Sequence, residues 1–255
     1  MTKYYKGNAI YNLIESTHKF RYATENLWIL VYGNRDCDPK VILLLSGYSV
    51  DEYESKTLNT KESEMLIYTE QISHKSKVPF IYVRFNKDSD VLSEVKIMVA
   101  GRFRSIDLDE YSNILVGYGI QKNDLACKKP INSRASNVYH KWQIQCGLDI
   151  TTSDIDLMRV SSDLDITDIY ELKRSYIPME KWEPYREDYN NFILLRKLLS
   201  SCNINFYIIF NQYHKNPYVE DIHKVKLYKV EYTDKLNIKN LGVSDISDFL
   251  LEFSL

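Results

Sequence analysis

The sequence predicts an α/β fold in which mixed sheets are flanked by helices. Three observations predict it: apolar runs of strand length bounded by turn residues, intervening stretches with apolar residues at helical spacing, and an order of these elements that recurs in the second half of the 255-residue chain.

Residues 9–19 read as a helix with Ile10, Leu13, Ile14 and Thr17 on one face. Residues 27–32 are an apolar strand, 33–39 a turn holding Gly33, Asn34, Asp36 and Pro39, and 41–45 a returning strand, so the three make a hairpin. The polar stretch 51–61 reads as loop or frayed helix. Helical spacing resumes over 62–76 through Met65, Ile67, Tyr68 and Ile72, and Pro79 stops it. Residues 80–85 and 95–100 are strands, while 107–118 fits either helix or strand.

In the second half, side chains alternate acid and apolar from Asp154 to Leu157, as in a half-buried strand over 154–160. Residues 161–165 have turn composition, and 169–175 form the returning strand. Alternation puts Glu171 and Lys173 on one face and turns Leu172 into the core. A register that sets Asp156 beside Glu171 gathers two carboxylates and an ammonium within a few ångströms. Asp154 shares a strand face with Asp156, so register alone decides which acid meets Glu171. One or two carboxylates suit a hard divalent cation such as Mg²⁺, whose other positions go to water and phosphate oxygens. Residues 185–200 follow as a helix with Tyr185, Tyr189, Phe192, Leu195 and Leu199 as its apolar positions, and 206–210 as a continuous apolar strand.

Asp156, the Glu171-Leu172-Lys173 triplet, and the helix and strand that follow resemble the core of the PD-(D/E)xK nuclease superfamily, which includes many restriction endonucleases and Holliday-junction resolvases. The resemblance implies a restriction endonuclease-like mixed sheet flanked by helices. It also implies a metal-dependent endonuclease that hydrolyses phosphodiester bonds of nucleic acid, DNA first. Asp156 and Glu171 would hold Mg²⁺, for which Mn²⁺ could substitute, and the Leu172 carbonyl would complete the inner sphere. Lys173 would orient the attacking water or help to deprotonate it. Many members carry a glutamate on the preceding helix; this chain offers only Gln143 and Gln145 there. Gln143 is a weaker candidate ligand for that reason, as is Asp154.

Some residues recur at offsets close to half the chain: Tyr11 and Tyr139, Tyr48 and Tyr176, Tyr82 and Tyr207. Two tandem copies of the fold, over 1–127 and 128–255, would produce this; two unrelated tyrosine-rich α/β segments would imitate it. Leucines at 43–45 stand where the second half has Glu171 to Lys173, so the first copy would be degenerate or a recognition domain, and the chemistry would belong to the second.

Lysine and arginine total 33 against 35 acids, for a formal charge of −2, which excludes a protein that coats nucleic acid through charge alone. Phosphate contacts would have to be local, and Lys128, Lys129 and Arg134, just ahead of the acidic hairpin, are the candidates. Cys37, Cys127, Cys146 and Cys202 show no paired spacing, so neither a zinc site nor a disulfide scaffold is indicated, and a reducing cytoplasm is the expectation. No apolar run approaches the ~20 residues of a membrane helix. The acidic hairpin is equally open to a bland reading, in a chain with 27% charged residues: a salt-bridged strand surface on a non-catalytic nucleic-acid-binding or protein-interaction module. An enzyme with one centre per chain would form a homodimer to act on symmetric sites.

Overall fold

The computed structural model describes residues 9–14, 17, 19–23, 26–123 and 137–251. Lys128, Lys129 and Arg134 lie outside the described residues, as does Cys127. The first part of the chain forms α1 (Ala9–Ile14), β1 (Phe20–Tyr22), β2 (Leu27–Gly33), β3 (Pro39–Tyr48), α2 (Val50–Tyr53), α3 (Thr60–Ser76), β4 (Phe80–Asn86), β5 (Glu94–Val99), β6 (Arg102–Asp107), α4 (Leu108–Gly117) and β7 (Gln121–Lys122). The second forms α5 (Val138–Gln145), β8 (Leu148–Asp149), β9 (Thr151–Asp154), β10 (Leu157–Val160), β11 (Ile166–Ser175), α6 (Tyr189–Ser200), β12 (Asn205–Lys215), β13 (Tyr218–Tyr232), β14 (Leu236–Asp245) and α7 (Ile246–Leu251).

Two six-stranded mixed sheets result among the described residues, ordered β6-β5-β4-β3-β2-β9 and β14-β13-β12-β11-β10-β1. Each contains one parallel pair, β3 with β4 and β11 with β12, and its remaining pairings are antiparallel. A parallel pair needs a crossover, and α3 and α6 supply it. Strand order and direction are therefore the same in both sheets. The individual residue matches are not: Tyr82 hydrogen-bonds Glu62 on the crossover helix α3, whereas Tyr207 packs on the opposite face, against the cluster holding Ile10 of α1 and Phe249 of α7. A slip of one residue exchanges the faces of a strand, so the aligned tyrosines are one position out of register.

The chain divides into two compact units, Met1–Tyr22 with Ile155–Leu255, and Ala23–Asp154. This differs from the expected division between 127 and 128, and the cause is an exchange of leading elements. Helix α1 and β1 lie in the expected first copy, yet β1 pairs with β10 and Ile10, Tyr11 and Ile14 join the core of the second sheet. Conversely, β9 pairs with β2, and Val138 and Tyr139 of α5 are buried with Tyr32, Phe85 and Tyr111 in the core of the first. A piece spanning 23–154 is thus expected to unfold in one cooperative transition. A piece spanning 1–127 lacks Tyr139, whose loss alone costs about 3–5 kcal/mol as a large-to-small change would, and is expected to show none. Thermal melts of the two pieces decide it, and a cooperative melt for 1–127 would contradict the exchange.

Local chemistry sets the element ends. The Asn59 side chain accepts from Glu62 N at 2.9 Å and the Glu62 carboxylate accepts from Asn59 N at 2.8 Å, a capping box that starts α3 ahead of the expected position at 62. The ambiguous segment 107–118 becomes a helix because Asp107 caps it, accepting from Glu110 N at 2.7 Å. Past α1 (Ala9–Ile14), the Thr17 hydroxyl donates to the Ile14 carbonyl at 2.7 Å. Along α6, Phe192, Leu194, Leu195, Leu198 and Leu199 are buried, each worth about 1.5–3 kcal/mol on removal from water.

Candidate functional site

Strand β11 carries the candidate residues, and its two faces meet different surroundings. Tyr170 and Leu172 turn toward the cluster formed with α1 and α7. Glu171 and Lys173 turn the other way, beneath α6 and the segment that leads into it. The Lys173 ammonium lies 5.9 Å from the Phe192 ring centre, and Phe210, its neighbour across the parallel pair, stacks on Trp182 at 4.2 Å. Trp182 is held in turn by its carbonyl, which accepts from Lys226 Nζ at 2.8 Å and from the Tyr228 hydroxyl at 2.7 Å.

Glu171 is therefore not on a solvated hairpin face, as the strand pattern alone allows; it is 6% exposed. Its Oε1 pairs with Lys173 Nζ at 2.9 Å, and the same ammonium pairs with Asp188 Oδ2 at 3.0 Å. Asp188 occupies the N-cap position of α6 but makes no cap hydrogen bond with its side chain. Burial works to lower the pKa of Lys173, but Glu171 and then Asp188 outweigh it and hold the pKa well above the ordinary lysine value. A raised lysine pKa contributes stability fully present below the unfolded value of about 10.4 and lost only as pH rises beyond it. Across pH 5–9 Lys173 is a fixed cation.

Asp156 stands just outside the hairpin ladder. The last antiparallel pair is Leu157 with Tyr170, and continuing that register sets Asp156 opposite Glu171. Its carboxylate accepts from Leu172 N at 2.8 Å, taking the place of the strand that ends there. A strand residue points its N–H and C=O to the same side, so the Leu172 carbonyl is also directed toward the flank where Asp156 sits. The Tyr11 hydroxyl donates to the Asp156 carbonyl at 3.4 Å, so the exchanged helix α1 helps to place the acid.

The weaker candidates are not part of this cluster. Asp154 ends β9 and pairs with Leu30, because the chain leaves one sheet at Asp154 and enters the other at Leu157; the expected single strand over 154–160, with Asp154 and Asp156 on one face, does not form. Gln143 accepts from the Tyr32 hydroxyl at 2.9 Å, at the end of a buried chain in which Tyr139 links Tyr32 and Tyr111. Asp188, Trp182 and Lys226 were not legible as site residues, although an aspartate just before the apolar period of 189–200 is a recognisable helix-start signal.

The equivalent place in the first sheet is closed. Strands β3 and β11 are both ten residues long, and aligning their ends sets Leu44 at Glu171 and Ser46 at Lys173. There Arg84 bonds Glu62 through Nε at 2.9 Å and Nη2 at 2.8 Å, with Tyr82 and Ser46 also on Glu62, and Arg84 and Glu62 are each 1% exposed. The place expected to be merely leucine-lined holds a sealed ion pair.

Among the described residues, no group of three or more His, Cys, Asp and Glu is placed to hold a metal ion, and no helix is long and apolar enough to cross a membrane. Neither the family models nor the curated proteins contain a match to this sequence. Among solved structures, the chain is similar to the C-terminal domain of the sex pheromone staph-cAM373 precursor from Staphylococcus aureus, at 9% identity over 84% of this chain and 70% of that one, with a TM-score of 0.15. A likeness of that size carries no argument about fold or function.

Proposed function

We propose that this chain is a Mg²⁺-dependent phosphodiesterase acting on nucleic acid, DNA first, on a restriction endonuclease-like core. The observation that carries the reading is the Asp156 carboxylate lying against the backbone of Leu172, between Glu171 and Lys173. The order around it supports the core: an antiparallel hairpin, a helix, then a strand parallel to the second arm of the hairpin.

Asp156 and Glu171 are the residues that would hold the metal, with the Leu172 carbonyl directed to the same flank. A set of two carboxylates and a carbonyl fits Mg²⁺, which retains several waters, and so does not require the three-residue cage that is absent among the described residues. The bound ion would supply Lewis-acid stabilisation of the phosphoryl oxygens and a more acidic water. Lys173, held charged by two carboxylates, acts as a donor and positive charge toward the phosphate and not as the base that deprotonates water. With Glu171 on a metal, Asp188 would remain to hold that ammonium in place.

The test is cleavage of single- and double-stranded DNA and RNA in Mg²⁺, in Mn²⁺ and in chelator, together with melting in the same buffers. Cleavage in metal only and a higher Tm with metal are expected. No cleavage with equal melting in metal and chelator sinks the enzyme and leaves a non-catalytic module in which Lys173 is an ionic strut. Because Lys173 does not titrate between pH 5 and 9, any basic limb of the rate profile in that window should persist in Lys173→Arg. A limb that this variant abolishes would contradict the assigned charge state.

A further inference from the structure

At the carboxyl ends of β11 and β12, on the face of the sheet that carries Leu172 and Arg174 and opposite that of Lys173, lies an aromatic surface that the proposed chemistry does not use. Tyr176 and Tyr218 are each 56% exposed. Between them lies Tyr213, with ring centres 6.3 Å from Tyr176 and 5.3 Å from Tyr218. The Lys215 ammonium stands 3.6 Å from the centre of the Tyr176 ring.

The hairpin of β12 and β13 builds this surface by its register. Tyr213 pairs with Glu220 and Lys215 with Tyr218, so strand alternation puts all four side chains on one face. The negative charge of Glu220 is taken up within the fold by Arg174, by the Tyr218 hydroxyl at 2.7 Å and by Ala9 N at 2.8 Å. Lys215 has no carboxylate partner among the described residues. What remains outward is three adjoining rings and one cation.

We propose that Tyr176, Tyr213, Tyr218 and Lys215 form a stacking platform for unpaired bases, so that the occupant of this surface is single-stranded nucleic acid. The inference rests on the phosphodiesterase reading for its link to cleavage. Every base offers a π-face to a tyrosine, and a lysine beside the rings neutralises a phosphate between stacked bases. A duplex keeps its bases stacked on one another and offers the rings only its ends. The rings and Lys173 border the same carboxyl edge from opposite faces of the sheet, and ligands of open α/β sheets bind beyond that edge. Tyr176 follows Lys173 by three residues on the way out of β11.

The experiment is anisotropy of labelled oligonucleotides with the full chain in chelator, which separates binding from cleavage. The probes are a single strand, the duplex of the same sequence, and an abasic single strand. Tighter binding of the single strand than of either other probe, by about tenfold or more, is expected. Tyr176→Ala and Tyr218→Ala should each weaken it by about 5- to 100-fold, the range of one lost base stack. Tyr176→Phe should bind as the parent does, and Lys215→Ala should flatten the salt dependence. Equal affinity for strand and duplex, unchanged affinity in both alanine variants, or no binding of any oligonucleotide would overturn the platform; the last would point to a protein partner for these rings. Single-strand binding without cleavage in Mg²⁺ would remove the phosphodiesterase reading and leave the platform standing, and cleavage with equal strand and duplex binding would do the reverse.

Discussion

Glu62→Leu is expected to destabilise the protein by about 3–5 kcal/mol, the cost of leaving one member of a fully buried ion pair without its partner. Five interactions meet on this carboxylate: two bonds from Arg84, the Tyr82 and Ser46 hydroxyls, and the backbone N–H of Asn59 at the start of α3. Its removal strands a guanidinium that keeps no carboxylate among the described residues, only the Ser55 and Thr57 carbonyls at 2.7 and 2.8 Å and the rings of Phe103, Tyr48 and Tyr82 at 3.9, 5.7 and 5.8 Å. Burial works to lower the pKa of Arg84, but Glu62 and Tyr82 raise it above the ordinary arginine value, so neutralising the side chain is no escape. The companion Glu62→Leu/Arg84→Met removes both charges, and its loss should fall well below the sum of the single losses, because replacing a whole buried pair with apolar side chains is often close to neutral. Denaturant midpoints of the four proteins in the cycle measure this. A single variant within about 1 kcal/mol of the parent would show that the pair is not sealed.

Lys173→Met is expected to lower metal-dependent cleavage by about 10²–10³-fold, the usual effect of deleting one donor aimed at developing charge, while leaving the metal-induced rise in Tm in place. It should also destabilise the fold by about 3 kcal/mol at neutral pH, since Glu171 and Asp188 then face each other without the cation that now joins them. The sign with pH follows from burial. A carboxyl forced to ionise among buried groups has its folded pKa raised, and the stability linked to a raised carboxyl pKa is present at low pH and lost as pH rises. The gap between variant and parent should therefore narrow from pH 7 to pH 5. Melts across that range read it directly. A gap that widens toward acid would mean the ammonium is not what keeps the two carboxylates together. Glu171→Gln separates the roles: it should abolish the metal-induced Tm shift, which Lys173→Met spares.

Much of this architecture was legible as periodicity. The apolar runs at 27–32, 41–45, 80–85 and 206–210 are strands because each lies inside a sheet with both faces covered, and the spacing of Phe192, Leu195 and Leu199 is a helix on such a sheet. The side-by-side placement of Glu171 and Lys173 needed only strand alternation. Strand β14 escaped notice because it is a mostly exposed edge whose apolar alternation, Leu236 and Ile238 then Leu241 and Val243, changes phase at the bulge opposite Leu227 and Tyr228. Asp188 escaped because a helix cap and an ion-pair partner are the same letter in a sequence; the choice was made by Lys173, which lies far from it along the chain and beside it in space.

By itself, then, the sequence determined most strands and helices of the two hairpin-helix-strand cores and that Glu171 and Lys173 share a face, since these follow from residue spacing over a few positions; it left 107–118 open and did not show the break between Asp154 and Leu157. Only the tertiary structure decided which sheet the three-residue β1 and the four-residue β9 would join, that Glu171 would be buried and share Lys173 with Asp188, and that Glu62 would close on Arg84. Strands that short have too few hydrogen bonds and too little apolar surface to specify a partner. Their assignment, like that of a buried charge, is settled by which arrangement leaves the fewest backbone groups and ions unsatisfied across the whole fold.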